Sequence, residues 1–206
     1  MEEILRNLFG PSVDEDILIK LSEVGQEIVY PEGTILRNNF KDPLIVCSGT
    51  ILVKAFGRPN TVYTPGDMAL NPSFSSKEKK VHAMSDADIA RYFANQTQQC
   101  ITDVHVIVFP NDCVLGMLDN VSFVRWLMEN QSMLMFQMTC YQTFLYHDDA
   151  YQAVRYVLKL AKAYGLHNLT HMQIALLSGR NRVTVTKILH EIALAEPELF
   201  EEQSQW

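Results

Sequence analysis

The fold is decided by residues 169–192, which read LTHMQIALLSGRNRVTVTKILHEI. Thr170 has a side chain that can accept a hydrogen bond at the start of a helix, and Gln173, three residues on, completes a capping box. Gly179 can adopt the left-handed backbone that a tight turn requires. A second helix is predicted to begin at Asn181. Its buried side is predicted from the helical spacing of Val185, Ile188 and Leu189.

Two short helices joined at a glycine are typical of a helix-turn-helix, whose second helix enters the major groove of DNA. The outer side of the second helix carries basic and hydroxyl side chains, which are the types that contact phosphates and base edges. The alternative is an ordinary helical hairpin inside a core. The predicted DNA-contacting set is Thr170, His171, Arg180, Asn181, Arg182, Val183, Thr184, Thr186 and Lys187.

Charge is distributed unevenly along the chain. The net charge is -7, which argues against sequence-independent binding of nucleic acid by the whole surface. Residues 150–190 contain six Lys or Arg and no Asp or Glu, whereas residues 191–206 contain five Glu and no base. One positive segment on an acidic chain favours a local DNA-binding element. The six cations are Arg155, Lys159, Lys162, Arg180, Arg182 and Lys187.

Length and composition limit the class of protein. With 206 residues and 48% apolar content, the chain can form one large domain or two modest ones. No run of about eighteen apolar residues is present, and the N-terminal MEEILRNLF lacks the layout of a signal peptide, so we expect a cytoplasmic protein without a membrane partner. The four cysteines form no CxxC pair. We therefore expect no metal site, no cofactor and no enzymatic activity.

Short strands follow an N-terminal helical arm at residues 2–24, whose apolar stripe contains Ile17, Leu18 and Leu21. A turn is predicted at residues 57–60, where Gly57 and Pro59 fall together. Strands of this length, separated by turns or polar loops, are typical of an antiparallel β-roll or jelly roll. The predicted strands span residues 26–30, 34–37, 44–47, 50–56 and 61–64.

One long helix is predicted from residue 112 to residue 147, because no proline or glycine lies between Gly116 and Gly165. A second apolar set lies beside its main seam, so the helix is predicted to face both a second subunit and the β-roll. The polar Asn130 favours a defined dimer register. The alternative is the core helix of a monomer. The predicted dimerisation seam comprises Phe123, Leu127, Asn130, Leu134, Met138, Tyr141 and Leu145.

The order of these parts resembles that of the CRP/FNR transcription regulators. The resemblance rests on PEGTILRNNFKDPLIVCSGTILVKAF at residues 31–56, PGD at residues 65–67, VHVIVFP at residues 104–110 and the helix-turn-helix. It implies an α+β fold with an N-terminal antiparallel β-roll of the jelly-roll, cyclic-nucleotide-binding-domain type. A long dimerisation helix and a C-terminal helix-turn-helix domain complete that fold. We expect the domains at residues 1–111, 112–147 and 148–206.

The effector site departs from the family's cyclic-nucleotide-binding members. In those members the PGD turn is followed by a Gly-Glu-Leu segment and later by Arg-Ser/Thr-Ala, which hold the cyclic phosphate. This chain has no Gly-Glu-Leu, and residues 91–94 read Arg-Tyr-Phe-Ala, with phenylalanine in place of the hydroxyl residue. We therefore expect an unknown small-molecule effector other than a cyclic nucleotide. The weak candidates for its pocket are Met68, Arg91, Tyr92 and Phe93.

The C-terminus is short for this family, whose members end in a two-stranded wing that touches the DNA backbone. After Ile192 the chain reads ALAEPELFEEQSQW, which is acidic, contains Pro197 and has no hairpin signal. We expect the wing to be missing or rudimentary. Phosphate contacts would then come from helix side chains and helix N-termini.

The start of the second helix predicts which bases are read. The family pattern Ser-Arg-Glu-Thr-Val corresponds here to Asn-Arg-Val-Thr-Val at residues 181–185. Arg182 can form a bidentate contact with guanine, and Lys187 can reach a base or a phosphate. Val183 replaces a carboxylate that accepts from cytosine with methyl groups that suit thymine. Alternatively, Val183 packs inward and reads no base.

Together, the residues and the resemblance predict a homodimeric, sequence-specific transcription regulator controlled through its β-roll. Its expected partners are a palindromic DNA operator, a second copy of the chain, RNA polymerase and the small-molecule effector. The alternative function is that of a β-roll ligand-binding or interaction protein that has lost DNA binding.

Overall fold

The computed structural model describes residues 1–36, 42–70, 91, 94–146 and 149–200. The chain divides into two compact units. The first comprises Met1–Gly57 and Val62–Phe136, and the second comprises Arg58–Thr61 and Gln137–Trp206.

Two helices form the N-terminal arm. Helix α1 spans Glu2–Phe9, a 3₁₀ turn follows at Gly10–Ser12, and α2 spans Glu15–Val24. The predicted stripe of Ile17, Leu18 and Leu21 is buried, which confirms this part of the interpretation. The arm packs because its apolar residues recur at helical spacing and one face is thereby removed from water.

The strands of the described residues form two antiparallel sheets. One sheet has the order β1-β8-β3-β6 and the other has the order β2-β7-β4-β5. The predicted β-roll is therefore present. The strands are β1 (Gln26–Tyr30), β2 (Ile35–Leu36), β3 (Leu44–Ser48), β4 (Ile51–Ala55), β5 (Arg58–Tyr63), β6 (Met68–Ala69), β7 (Gln96–Cys100) and β8 (Val104–Val108).

Two cores meet at the sheet that contains β3 and β8. Leu44, Val46 and Val106 lie in the core between the sheets. Their neighbours Ile45 and Ile107 lie in a second core, together with apolar side chains of α1 and α2. These strands are continuously apolar because both of their faces are buried.

The turn between β4 and β5 differs from the prediction. A turn was expected at residues 57–60, but β5 already begins at Arg58. Phe56 and Gly57 form the connection instead, with φ of 51° and 75°. Positive φ at both central residues matches the two-residue turn whose twist suits a hairpin. Pro59 is tolerated in β5 because this strand lies at the edge of its sheet.

The long helix predicted from residue 112 is instead two helices. Helix α3 spans Asn111–Gly116, and α4 spans Val121–Tyr146. The break follows from a local cap, since the Asn120 side chain accepts a hydrogen bond of 2.9 Å from the Phe123 N–H. This bond satisfies a free donor in the first turn of α4 and so defines a new helix start.

Residues 149–200 of the second unit form helices joined by short turns. Helix α5 spans Ala150–Ala163, α6 spans His171–Ser178, α7 spans Arg182–Ala195, and a 3₁₀ turn covers Pro197–Leu199. Its buried apolar residues include Val157 and Leu158 of α5, Ile174 of α6, and Val185 and Ile188 of α7. No helix within the described ranges is both long and apolar enough to cross a membrane.

Candidate nucleic-acid interface

The start of α6 has the predicted capping box. The Gln173 N–H donates to the Thr170 hydroxyl at 3.2 Å, and the Thr170 N–H donates to the Gln173 side chain at 2.6 Å. The turn after α6 is also as predicted, because Gly179 has φ of 64° and a left-handed conformation. Local hydrogen bonds therefore place α7 directly after a tight turn.

Asn181 has a structural role at the start of α7. Its side-chain oxygen accepts from the Thr184 N–H at 2.8 Å, as a helix N-cap does. The amide oxygen is therefore occupied, and the NH₂ group of Asn181 is the part of the side chain that can still donate to DNA.

The outer face of α7 is open to solvent. Arg182, Thr186 and Lys187 are exposed, whereas Val185 on the opposite side is fully buried. Val183 is 67% exposed. Val183 therefore does not pack inward, and its methyl groups are available to a ligand.

A hydrogen-bonded chain crosses from α6 to α7 on this surface. The Thr186 hydroxyl donates to the Arg182 carbonyl at 3.0 Å, and Nδ1 of His171 lies 2.9 Å from the same hydroxyl oxygen. Because the hydroxyl has a single hydrogen, Nδ1 of His171 must be the donor in its own contact. This contact links the first turn of α6 to the outer face of α7.

Arg180 is engaged within the chain. Its Nη2 donates to the Leu145 carbonyl at 3.0 Å, and the side chain is only partly exposed. The sequence grouped Arg180 with the DNA-contacting residues, but the structure assigns its guanidinium an intrachain partner near the C-terminal end of α4. No local sequence signal identifies this contact, because the partners are 35 residues apart.

Two of the three cations on α5 are hydrogen-bonded to the acidic segment that follows α7. Arg155 makes two hydrogen bonds to the Glu196 carboxylate, at 2.6 and 2.7 Å, and Lys162 donates to the Glu198 carbonyl at 2.8 Å. The hydrogen bonds from Arg155 hold the pKa of Glu196 below its ordinary value, and the nearby charge of Lys159 acts in the same direction. Arg155 and Lys162 of α5 are therefore already hydrogen-bonded within the chain.

Four residues of the predicted dimerisation seam, Phe123, Leu127, Tyr141 and Leu145, are buried within a single chain. Leu134 and Met138 are half-buried. Asn130 also has intrachain partners, since it donates to the Gly66 carbonyl at 2.7 Å and accepts from the Met68 N–H at 3.1 Å. Side chains that a single chain already buries offer little surface for a second chain to cover.

The candidate effector residues are dispersed or lie outside the described residues. Met68 is fully buried in the core that includes Leu5 and Phe123. Arg91 is exposed, and its carbonyl accepts from the Asn95 side chain at 2.7 Å. Tyr92 and Phe93 fall outside the described residues.

Solved structures with the same architecture cover nearly the whole chain. FixK2 from Bradyrhizobium japonicum covers 89% of this chain and 99% of its own, with a TM-score of 0.62 and 12% identity. The c-di-GMP responsive global regulator CLP from Xanthomonas campestris covers 88% and 93%, with a TM-score of 0.64 and 10% identity. A structure described as a CRP/FNR-family transcriptional regulator from Eubacterium rectale covers 91% and 88%, with a TM-score of 0.60 and 16% identity.

The chain has the fold of the CRP/FNR transcription regulators. The predicted α+β fold class is therefore confirmed. The sequence of this chain matches no family model and no curated protein. The structural neighbours with the CRP/FNR fold are transcription regulators rather than enzymes.

Proposed function

We propose that this chain is a homodimeric, sequence-specific transcription regulator that binds a palindromic operator in the cytoplasm. The observation that carries the proposal is the exposed face of α7, which follows a capped helix and a left-handed glycine turn. The side chains of Arg182, Val183 and Lys187 project from that face and have no hydrogen-bond or ion-pair partner in the described part of the chain. Within a CRP/FNR fold, this arrangement suits insertion of α7 into the major groove.

Base recognition is assigned to two neighbouring side chains of opposite chemistry. The Arg182 guanidinium presents a planar pair of donors that matches O6 and N7 of guanine. The Val183 methyl groups suit contact with the C5-methyl of thymine. Each half-site is therefore expected to require one guanine strongly and to prefer thymine beside it, while Lys187 contacts a base or a phosphate.

Dimerisation is assigned to the exposed apolar side chains of α4. Val121, Met128 and Met135 are 72%, 66% and 64% exposed, and they recur every seven residues. A seven-residue apolar repeat keeps one seam facing a parallel partner helix. This seam lies on a different face from Phe123 and Leu127, and it replaces them as the proposed contact between subunits.

The dimer is tested by charge substitution along this seam. The double variant Met128→Lys, Met135→Lys should sediment as a monomer, because two pairs of like charges would meet across the two-fold axis. Met133→Lys is the matched control, since Met133 is about equally exposed but lies on a different face of α4. A double variant that remains dimeric would place the interface elsewhere.

Control of the regulator is assigned to the β-roll. An effector other than a cyclic nucleotide would bind there and shift the population of conformations in which both copies of α7 reach successive major grooves. RNA polymerase is the expected partner of the DNA-bound dimer. Cyclic AMP that binds at micromolar concentration in calorimetry would contradict this choice of effector.

The decisive experiment is selection of bound duplexes from a random DNA pool by the full chain, with and without candidate effectors. The expected product is a palindrome in which each half-site has one required guanine. Arg182→Ala should lose that requirement. If the parent chain enriches no sequence under any condition, DNA recognition is contradicted.

A second candidate is a ligand-binding or interaction protein that has lost its operator. The observation in its favour is that Arg155, Lys162 and Arg180 all have partners within the chain, while the net charge is -7. Failure of the selection, together with binding of a small molecule by the roll in calorimetry, would support this candidate over DNA binding.

A further inference from the structure

The turn between α6 and α7 is held by the last turns of α4. The Tyr141 hydroxyl donates to the Leu177 carbonyl at the end of α6. Arg180, at the other end of the turn, donates to the Leu145 carbonyl at 3.0 Å. Helix α4 provides the donor of one bond and the acceptor of the other. Rotation of the turn relative to α4 would therefore break at least one of them.

The surroundings of each donor and acceptor favour these two hydrogen bonds. Tyr141 is fully buried, and a buried phenol needs an acceptor for its hydrogen. Burial raises the pKa of Tyr141 well above its ordinary value, so the hydroxyl remains a donor. Leu145 is in the last turn of α4, where carbonyls lack helical partners and the helix dipole favours a cation such as Arg180.

A third segment of the same unit packs against this turn. The ring of Pro59 lies 3.3 Å from the position that a Cβ at Gly179 would occupy. Pro59 and Asn60 are in turn held by α4, because Tyr146 donates to the Pro59 carbonyl and Gln142 donates to the Asn60 side chain at 2.7 Å. The end of α4 therefore binds both the turn and the segment that covers it.

We propose that Tyr141 and Arg180 are positioning residues that set the direction of α7 relative to α4, and thereby the half-site spacing that the dimer accepts. The inference rests on the proposed function. In a dimer built on α4, the separation of the two copies of α7 depends on their direction from α4. Successive major grooves are about 34–36 Å apart, so a change in that direction changes which operator fits.

The role differs in kind from that of Arg182. Arg182 is two residues further along the chain and is exposed, and its guanidinium has no partner among the described residues. It would read a base without affecting spacing. Arg180 would affect spacing without reading a base.

The experiment uses the full-length protein and a duplex library in which two copies of the selected half-site are separated by spacers of varied length. Affinity is measured for each spacer with the parent and with Tyr141→Phe, Arg180→Met and the matched control Arg182→Met. The parent should prefer its best spacer about tenfold or more over spacers one base pair longer or shorter. Tyr141→Phe and Arg180→Met should reduce this ratio to about twofold while the guanine requirement is kept.

The control should behave in the opposite way. Arg182→Met should lose the guanine requirement and keep the spacer ratio of the parent. Spacer ratios in Tyr141→Phe and Arg180→Met equal to that of the parent would overturn the inference. So would an unchanged ratio in Arg180→Met alone if Tyr141→Phe does not fold. A parent chain that binds no paired half-site would instead contradict the proposed function itself, from which the inference is drawn.

Discussion

Helices α5 and α7 each carry cations at helical spacing, but the structure uses them differently. On α5, Arg155 is paired with Glu196, and Lys162 donates to the backbone of Glu198. On α7, Arg182 and Lys187 are exposed, and their charged groups have no partner in the ranges that the structure describes. The contrast teaches that a count of cations overestimates the positive charge available to DNA. The acidic segment after α7 binds two cations of α5 and leaves the outer face of α7 exposed.

The sharpest test of this contrast compares one arginine from each helix. Arg182→Ala should weaken operator binding by about 1–3 kcal/mol per half-site, roughly 5- to 150-fold, and should relax the guanine requirement. Arg155→Ala should change operator affinity by less than about twofold, because its guanidinium already binds Glu196. Fluorescence anisotropy with labelled operator measures both. Equal losses in the two variants would show that α5 also contacts DNA.

A smaller effect is expected at the exposed valine of α7. Val183→Glu should shift the preferred base pair from one that presents thymine to one that presents cytosine, by about tenfold, because a carboxylate accepts from the cytosine amino group. The matched control is Val183→Ala, which should weaken the thymine preference without creating one for cytosine. Selected operators with no change at this position would mean that Val183 does not face a base.

The salt dependence of binding measures how many cations contact DNA. If Arg182 and Lys187 of α7 are the cations that do so, four per dimer, the logarithm of affinity should fall with the logarithm of salt concentration with a slope of about −4. Lys187→Ala should make that slope shallower by about 2, while Lys162→Ala should leave it unchanged. A parent slope near −10 would indicate that the α5 stripe is released from the acidic segment when DNA binds.

The smallest effect concerns the ion pair that covers α5. The pKa of Glu196 is lowered in the folded chain, chiefly by its hydrogen bonds to Arg155, so its contribution to stability is present above the ordinary value of 4.5 and is lost as the pH falls through the folded value. Glu196→Gln should therefore lower the thermal midpoint slightly at pH 7, and the difference from the parent should shrink as the pH falls below 4.5. Glu191→Gln, an exposed change on α7, is the control. A midpoint difference that does not shrink as the pH falls would assign the effect to packing.

Sequence predicted those parts of the interface that depend on bonds between near neighbours. The capping box of Thr170 and Gln173, the left-handed Gly179 and the helix start at Asn181 each involve residues no more than three positions apart. Such bonds form wherever the local pattern occurs in a helix start, so pattern alone identifies them. The buried side of α7 followed equally from its helical period.

Strand β7 shows why other elements were missed. It reads QTQQC, which has little of the apolar or β-branched character that marks a strand. It is a strand because it pairs with β4 along five residues and with β2 along two. The hydrogen bonds of a sheet are made by the backbone, and their partners here lie more than 40 residues away.

The helices and turns around α6 and α7, the presence of a roll and the apolar character of α4 all follow from the sequence. Three features appear only in the folded chain: Phe123 and Leu127 face inward, Arg180 binds the Leu145 carbonyl, and Arg155 and Lys162 of α5 bind Glu196 and Glu198. Periodicity and charge describe one surface of a helix but do not identify the residues that pack against it. Those residues are far away in the chain, and only the folded backbone brings them together.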